Sequence, residues 1–266
     1  MICKKLNNLD EQDFAVLRSP FESGRQSPKS LGGTLLLGIV FQVLMLYMVY
    51  DISEGDSLFR FKETILLVYS IFSVILILLS IIYSIPAVYM KGQKMQYATV
   101  ILVSQNIAGV SFYIVSLFLI GSEKLFVVNQ ESLFTIILVT SSAGILIFII
   151  TCIRFYFLLK KGEYRSGSKR ALLRGKIELK SLVPIAILAS TGLTLFMQYT
   201  FKNIVSFDGN TIFLIILGPI LFYIMLFVLP EQLVILYCKT RFDSFNFDKD
   251  GNLKPLSNEM NHSHEH

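Results

Sequence analysis

Tryptophan is absent from this 266-residue chain, histidine is confined to its last five residues, and charge is missing from six long stretches. Those stretches, Leu31–Tyr50, Thr64–Met90, Met95–Ser122, Ser132–Ile153, Ser181–Phe201 and Gly209–Pro230, contain no Asp, Glu, Lys, Arg or His. Their lack of charge excludes an ordinary soluble domain, because helices apolar all round would have almost no polar cover against water. Hydrophobic residues make up 53% of the chain, and its mean hydropathy is +0.62. A run of about 20 apolar residues rises roughly 30 Å as a helix, the thickness of a bilayer's hydrocarbon core, where only a helix or closed barrel satisfies its own backbone. The sequence therefore predicts an all-α fold: a polytopic membrane protein built as a six-transmembrane-helix bundle.

The histidines are His262, His264 and His266, so the six spans supply no imidazole as base or metal ligand. H-E-x-x-H and paired Asp residues at helical spacing are also missing. Intramembrane hydrolysis and metalloprotease chemistry need such groups. No catalytic, cofactor-binding or metal-ligating residue is assigned, no cofactor is expected, and the chain is not read as an enzyme. Imidazoles at alternate positions of a flexible end can converge on a metal ion, but a disordered end is the simpler reading. Just upstream, Asn246-x-Asp248-x-Asp250-Gly251 resembles the opening of a calcium-binding loop. The bidentate Glu needed at its twelfth position is replaced by Ser257. Phe247, Asp250-Gly251 and Leu253 instead predict a hairpin turn.

Only three cysteines occur, Cys3, Cys152 and Cys238. All fall near one predicted membrane face, and an odd number on a reducing side argues against disulfides. That face is identified by cations. Twenty of the 24 Lys and Arg residues lie in the N-terminal tail, the second and fourth loops and the C-terminal tail; the other loops hold four. Retention of positive residues inside the cell places both termini in the cytoplasm. No basic stripe with interleaved aromatics is present, so no nucleic-acid partner is expected. The abundance of Ile, Phe, Leu, Tyr, Lys and Asn without Trp suggests an AT-rich coding sequence and a bacterial plasma membrane. Acidic residues ahead of the first apolar run, Asp10, Glu11, Asp13 and Glu22, argue against a cleaved signal peptide.

Three regions follow: a cytoplasmic N-terminal tail over 1–30, a six-helix transmembrane domain over 31–238 with a basic loop at about 160–180, and a cytoplasmic C-terminal tail over 239–266. Leu6, Leu9, Phe14, Val16 and Leu17 can share one helical face, giving an in-plane surface helix; a solvated tail is the favoured reading. The basic loop is read first as topology-setting charge, with attraction to anionic lipid or a docked protein as the sharper alternative.

Within the spans the chemistry is sparse. Gln42, Gln105, Asn106, Ser141, Ser142 and Thr191 form a candidate mid-membrane polar cluster, expected as interhelical hydrogen bonds or as the lining of a small cavity. Gly218 and Pro219 mark a candidate kink in the last span, since proline removes a donor and crowds the preceding turn. Arg154 and Glu231 interrupt apolar sequence at comparable depth, six residues before Lys160 and eight before Lys239. An unpaired charge at a helix centre costs about 2.5–3.5 kcal/mol even on the lenient insertion scale. The two are therefore a candidate intramembrane ion pair; the alternatives are separate snorkelling, or an interfacial helix starting at Pro230.

These features point to a non-enzymatic integral membrane protein acting by contact with another membrane or secreted protein, as an accessory subunit or a protection protein against a toxin. Its expected partners are the lipid bilayer and a protein. The alternative is a permease subunit for a small molecule, energised by a separate ATPase. Ion-coupled transport is disfavoured by the absence of a mid-membrane acid.

Overall fold

A computed structural model describes residues 9–54, 60–122, 129–168 and 209–256. Five long helices dominate: α1 (Pro28–Ser53), α2 (Lys62–Ser84), α3 (Gln93–Ile120), α4 (Gln130–Lys160) and α5 (Gly209–Arg241). Each is long and apolar enough to cross a membrane. They coincide with five of the six charge-free stretches. The remaining one, Ser181–Phe201, lies outside the described residues, as do Thr191, Cys3, most of the basic loop and the histidines.

Local signals account for the ends. Ser27 caps α1 by accepting a hydrogen bond from the Ser30 N–H at 3.3 Å, with Pro28 in the first turn. Asn129 caps α4 in the same way through Ser132, at 2.9 Å. Helix α2 stops at Ser84, short of the expected Met90, because Ile85 precedes Pro86 and takes an extended conformation. At the end of α4, Gly162 has φ +73° and the Glu163 N–H bonds back to the Leu158 carbonyl, a left-handed stop that a side chain would strain. Two helices run past the charges that bounded the sequence-based spans. Helix α4 passes Arg154 and α5 passes Glu231, so Pro230 does not begin a separate interfacial helix.

Cross-helix hydrogen bonds reveal the directions. Helix α2 meets α3 through Tyr69 with Ser111, Ser73 with Asn106 and Tyr83 with Gln96, so residue numbers rise along one as they fall along the other. Helix α5 opposes α3 in the same sense, through Ser116 with Ile215 and Gln105 with Met225. Helices α4 and α5 are parallel to each other, Thr140 meeting Tyr223 in their middle portions while Leu159 and Val234 share a core towards their C-terminal ends. Large apolar side chains cover the outside, with Leu37 58%, Leu67 62% and Val139 60% exposed. Such a surface is unstable in water and expected in lipid.

The N-terminal segment departs from the expected solvated tail. Glu11–Arg18 forms a 3₁₀ helix that runs into an α-helical turn, Ser19–Glu22. Phe14, Leu17 and Phe21 are fully or almost fully buried against Tyr97, Leu159, Cys238 and Phe245. The C-terminal segment folds into the same layer. Phe247 pairs with Leu253 across a turn whose Asp248 carboxylate accepts from the Asp250 and Asn252 N–H groups, with Gly251 at φ +85°. This is the hairpin turn expected from Asp250-Gly251. Together the two segments cap one end of the bundle.

Candidate functional site

Among the described residues, the mid-membrane polar side chains do not converge on a shared space. Gln42, fully buried on α1, donates to Ser80 of α2 at 3.5 Å. Gln105 and Asn106 are adjacent in sequence but turn towards different helices. Gln105 donates to the Met225 carbonyl at 3.1 Å and to Gln232 at 3.4 Å on α5, whereas Asn106 donates to Ser73 on α2 at 3.1 Å. Residues on α4 make a third, separate contact: the Tyr113 hydroxyl lies 2.5 Å from Thr140 and 3.5 Å from Ser141. Ser142 is exposed on the outer surface of α4. The expected cavity formed by Gln105 and Asn106 with the α4 serines is therefore replaced by pairwise bonds. The reason is angular: consecutive residues on a helix point in different directions around its axis and reach different partners.

A π-helical segment, Gln105–Ser111, carries this divergence in the middle of α3. Its wider turn offsets the faces of α3 above and below it. Ser111 and Tyr69 pair at 2.8 Å, and Ser111 also donates to the Asn106 carbonyl at 2.7 Å.

Gly218 and Pro219 sit where α5 crosses the far half of α3. A Cβ on Gly218 would collide with the Phe112 carbonyl oxygen and lie 2.5 Å from the Ser116 Cβ, so only glycine permits this approach. Pro219 has no N–H for the carbonyl four residues earlier, that of Ile215. Ser116 donates its hydroxyl to that carbonyl at 2.7 Å and is itself fully buried. The proline thus creates an acceptor within α5 that α3 satisfies. A second close crossing joins α4 to α5 at Gly144, against Phe222 and Leu226. Ser80 and Ser116 were not singled out from the sequence, because nothing in a serine's own span shows which carbonyl or amide faces it.

Arg154 and Glu231 do come to one place. Both line a cavity of about 250 Å³ between α4 and α5, with Thr151, Phe155, Leu158 and Phe227. Among the described residues Arg154 does not form the expected ion pair with Glu231; its guanidinium lies over the Phe227 ring, 5.9 Å from the centroid. Cation–π attraction acts at this range and is stronger where water is scarce. Thr151 donates to the Ile147 carbonyl at 2.7 Å, which leaves its oxygen lone pairs available.

The capped end concentrates the remaining polar chemistry. Asp13, 4% exposed, accepts from Arg165 Nε at 2.6 Å, and the Ser244 hydroxyl donates to Glu11. Gln93 bonds both backbone groups of Phe247, each at 2.9 Å, tying the C-terminal turn to the start of α3. Lys239 is 2% exposed, donates to the Phe245 carbonyl at 2.8 Å, and has its ammonium 4.6 Å from the Phe21 ring centre. Among the described residues, no three His, Cys, Asp or Glu side chains gather as a metal site.

No protein family matches the chain, and no curated protein and no solved structure is significantly similar to it.

Proposed function

We propose that this chain is a non-enzymatic, six-span protein of a bacterial plasma membrane, with both termini in the cytoplasm, that works by contact with another protein in or at the membrane. An accessory subunit and a protection protein against a membrane-active toxin both fit this role. The observation that carries the reading is the pairwise use of the mid-membrane amides: among the described residues, Gln42, Gln105 and Asn106 each donate to a neighbouring helix. The orientation rests on the cations at the capped end, among them Lys91, Lys94, Lys160, Lys161, Arg165 and Arg241. The sixth span rests on the parallel course of α4 and α5. The charge-free stretch Ser181–Phe201, which falls between them in the sequence, is of a length to span a bilayer.

The partner is sought by purifying the full chain from native membranes in mild detergent after in-cell crosslinking. A stoichiometric protein that survives washing is the expected result. Solute flux by the pure protein in liposomes, lost in Gln105→Ala with Asn106→Ala while the protein remains folded, would instead establish the permease alternative. Cysteine labelling from outside the cell at either tail would refute the orientation.

A further inference from the structure

Lys239 sits in the last turn of α5 with 2% of its surface exposed, and among the described residues no carboxylate pairs with it. A buried ammonium without an anion is costly unless other groups replace its water. Here the replacements come from three separate parts of the chain. The Phe21 ring of the N-terminal segment has its centre 4.6 Å from the ammonium, the Tyr97 ring of α3 5.8 Å, and the Phe247 ring of the C-terminal segment 5.9 Å. The Phe245 carbonyl, also in the C-terminal segment, accepts a hydrogen bond from Lys239 Nζ at 2.8 Å. The backbone carbonyl of the same lysine accepts from Asn246 Nδ2 at 2.9 Å. Three rings and a carbonyl around one ammonium form an aromatic cage of the kind that recognises cationic ligands.

We propose that Lys239 is the internal ligand of this cage, and that its charge locks the N- and C-terminal segments into one unit that opens and closes together over the end of the bundle. Apolar contact joins the two segments as well, the Phe21 and Phe247 ring centres being 6.3 Å apart, but it does nothing for the Phe245 carbonyl. An uncharged side chain of equal length fills the same volume, strands that carbonyl and leaves the rings around no cation. Opening the unit uncovers Cys238, which is fully buried beside the lysine and shares a core with Phe14, Leu17, Phe21 and Phe245. The lock works whichever side of the membrane the capped end faces.

The test is the rate of Cys238 alkylation by N-ethylmaleimide at pH 7, in the full chain with Cys3 and Cys152 replaced by serine. Lys239→Met keeps the length and removes the charge; it should raise the rate roughly tenfold, the change for one lost charge-assisted hydrogen bond. Lys239→Ala should raise it further. Added n-propylammonium, which supplies the missing methylenes and charge, should slow Lys239→Ala again, whereas n-propanol should not. Hydrogen exchange of the unsubstituted protein gives a readout that needs no variant. The Val16 amide, bonded to the Tyr164 carbonyl, and the Phe247 amide, bonded to Gln93 Oε1, should share one level of protection, as members of a cooperative unit do. Alkylation of Lys239→Met at the parent rate or slower would show that the cage holds volume and not charge, and would overturn the proposal. Equal slowing of Lys239→Ala by n-propanol would do the same, as would protection of the two amides differing by more than roughly tenfold.

Discussion

The contact between Ser116 and Ile215 makes a quantitative claim about why α3 and α5 associate. Pro219 cannot donate to the Ile215 carbonyl, and the Ser116 hydroxyl, 2.7 Å away, takes the place of the missing N–H. Ser116→Ala should therefore cost about 1 kcal/mol, within the range of interhelical hydrogen bonds in membranes, because it strands a buried acceptor. In a Pro219→Ala background the restored N–H serves Ile215 from within α5. There, Ser116→Ala should cost only a few tenths of a kcal/mol, leaving a coupling energy of about 0.5–1 kcal/mol in the double-mutant cycle. The chain has no tryptophan, so far-UV circular dichroism is the suitable signal, followed during SDS titration in mixed micelles. Equal costs of Ser116→Ala in both backgrounds would show that the hydroxyl does not stand in for the proline's missing donor.

Other substitutions test neighbouring parts of the fold. Gly218→Ala should destabilise by about 1–3 kcal/mol in the same titration, since the obstructing Phe112 carbonyl is backbone and α3 and α5 must part. Gly144→Ala should cost less, because the atoms 2.9 Å from its Cβ belong to the side chains of Leu226 and Phe222, which can rotate. Gln105→Ala and Asn106→Ala should each cost about 0.6 kcal/mol in that titration, the average for an interhelical hydrogen bond in a membrane, and no cost for either would show that its bond to α5 or α2 does not hold the helices. Phe21→Ala should loosen the cap and speed tryptic cleavage after Arg18, which is 5% exposed in the intact fold. An unchanged cleavage rate would show that the N-terminal segment is held by something other than the aromatic core.

Where the sequence was readable, its signal was one-dimensional. A charge-free stretch marks a lipid-crossing helix whatever lies beside it, so α1 to α5 follow from local chemistry, whereas the stop before Pro86 was passed over because the stretch stays uncharged to Met90. The hairpin turn at Asp250-Gly251 is local in the same way. The N-terminal segment shows the limit of that logic. Its apolar positions Phe14, Val16 and Leu17 were visible, but whether they meet solvent, a membrane surface or protein depends on what stands at the end of the bundle. There they find the ends of α3, α4 and α5 and the returning C-terminal segment. The polar residues show a second limit. Gln105 and Asn106 read as one cluster because they are adjacent, yet helical rotation sends them to α5 and α2.

By itself, the amino-acid order determined that this chain partitions into hydrocarbon and which segments lie there as helices, since transfer from water to lipid is summed along each segment with little regard to its neighbours. Only the tertiary structure decided that Arg154 and Glu231 share a cavity, that Ser116 completes a helix broken by Pro219, and that the two tails close one end of the bundle. Those outcomes depend on the rotation and spacing of helices far apart in the chain. Such quantities arise from packing many side chains at once and leave no periodic trace in any single segment.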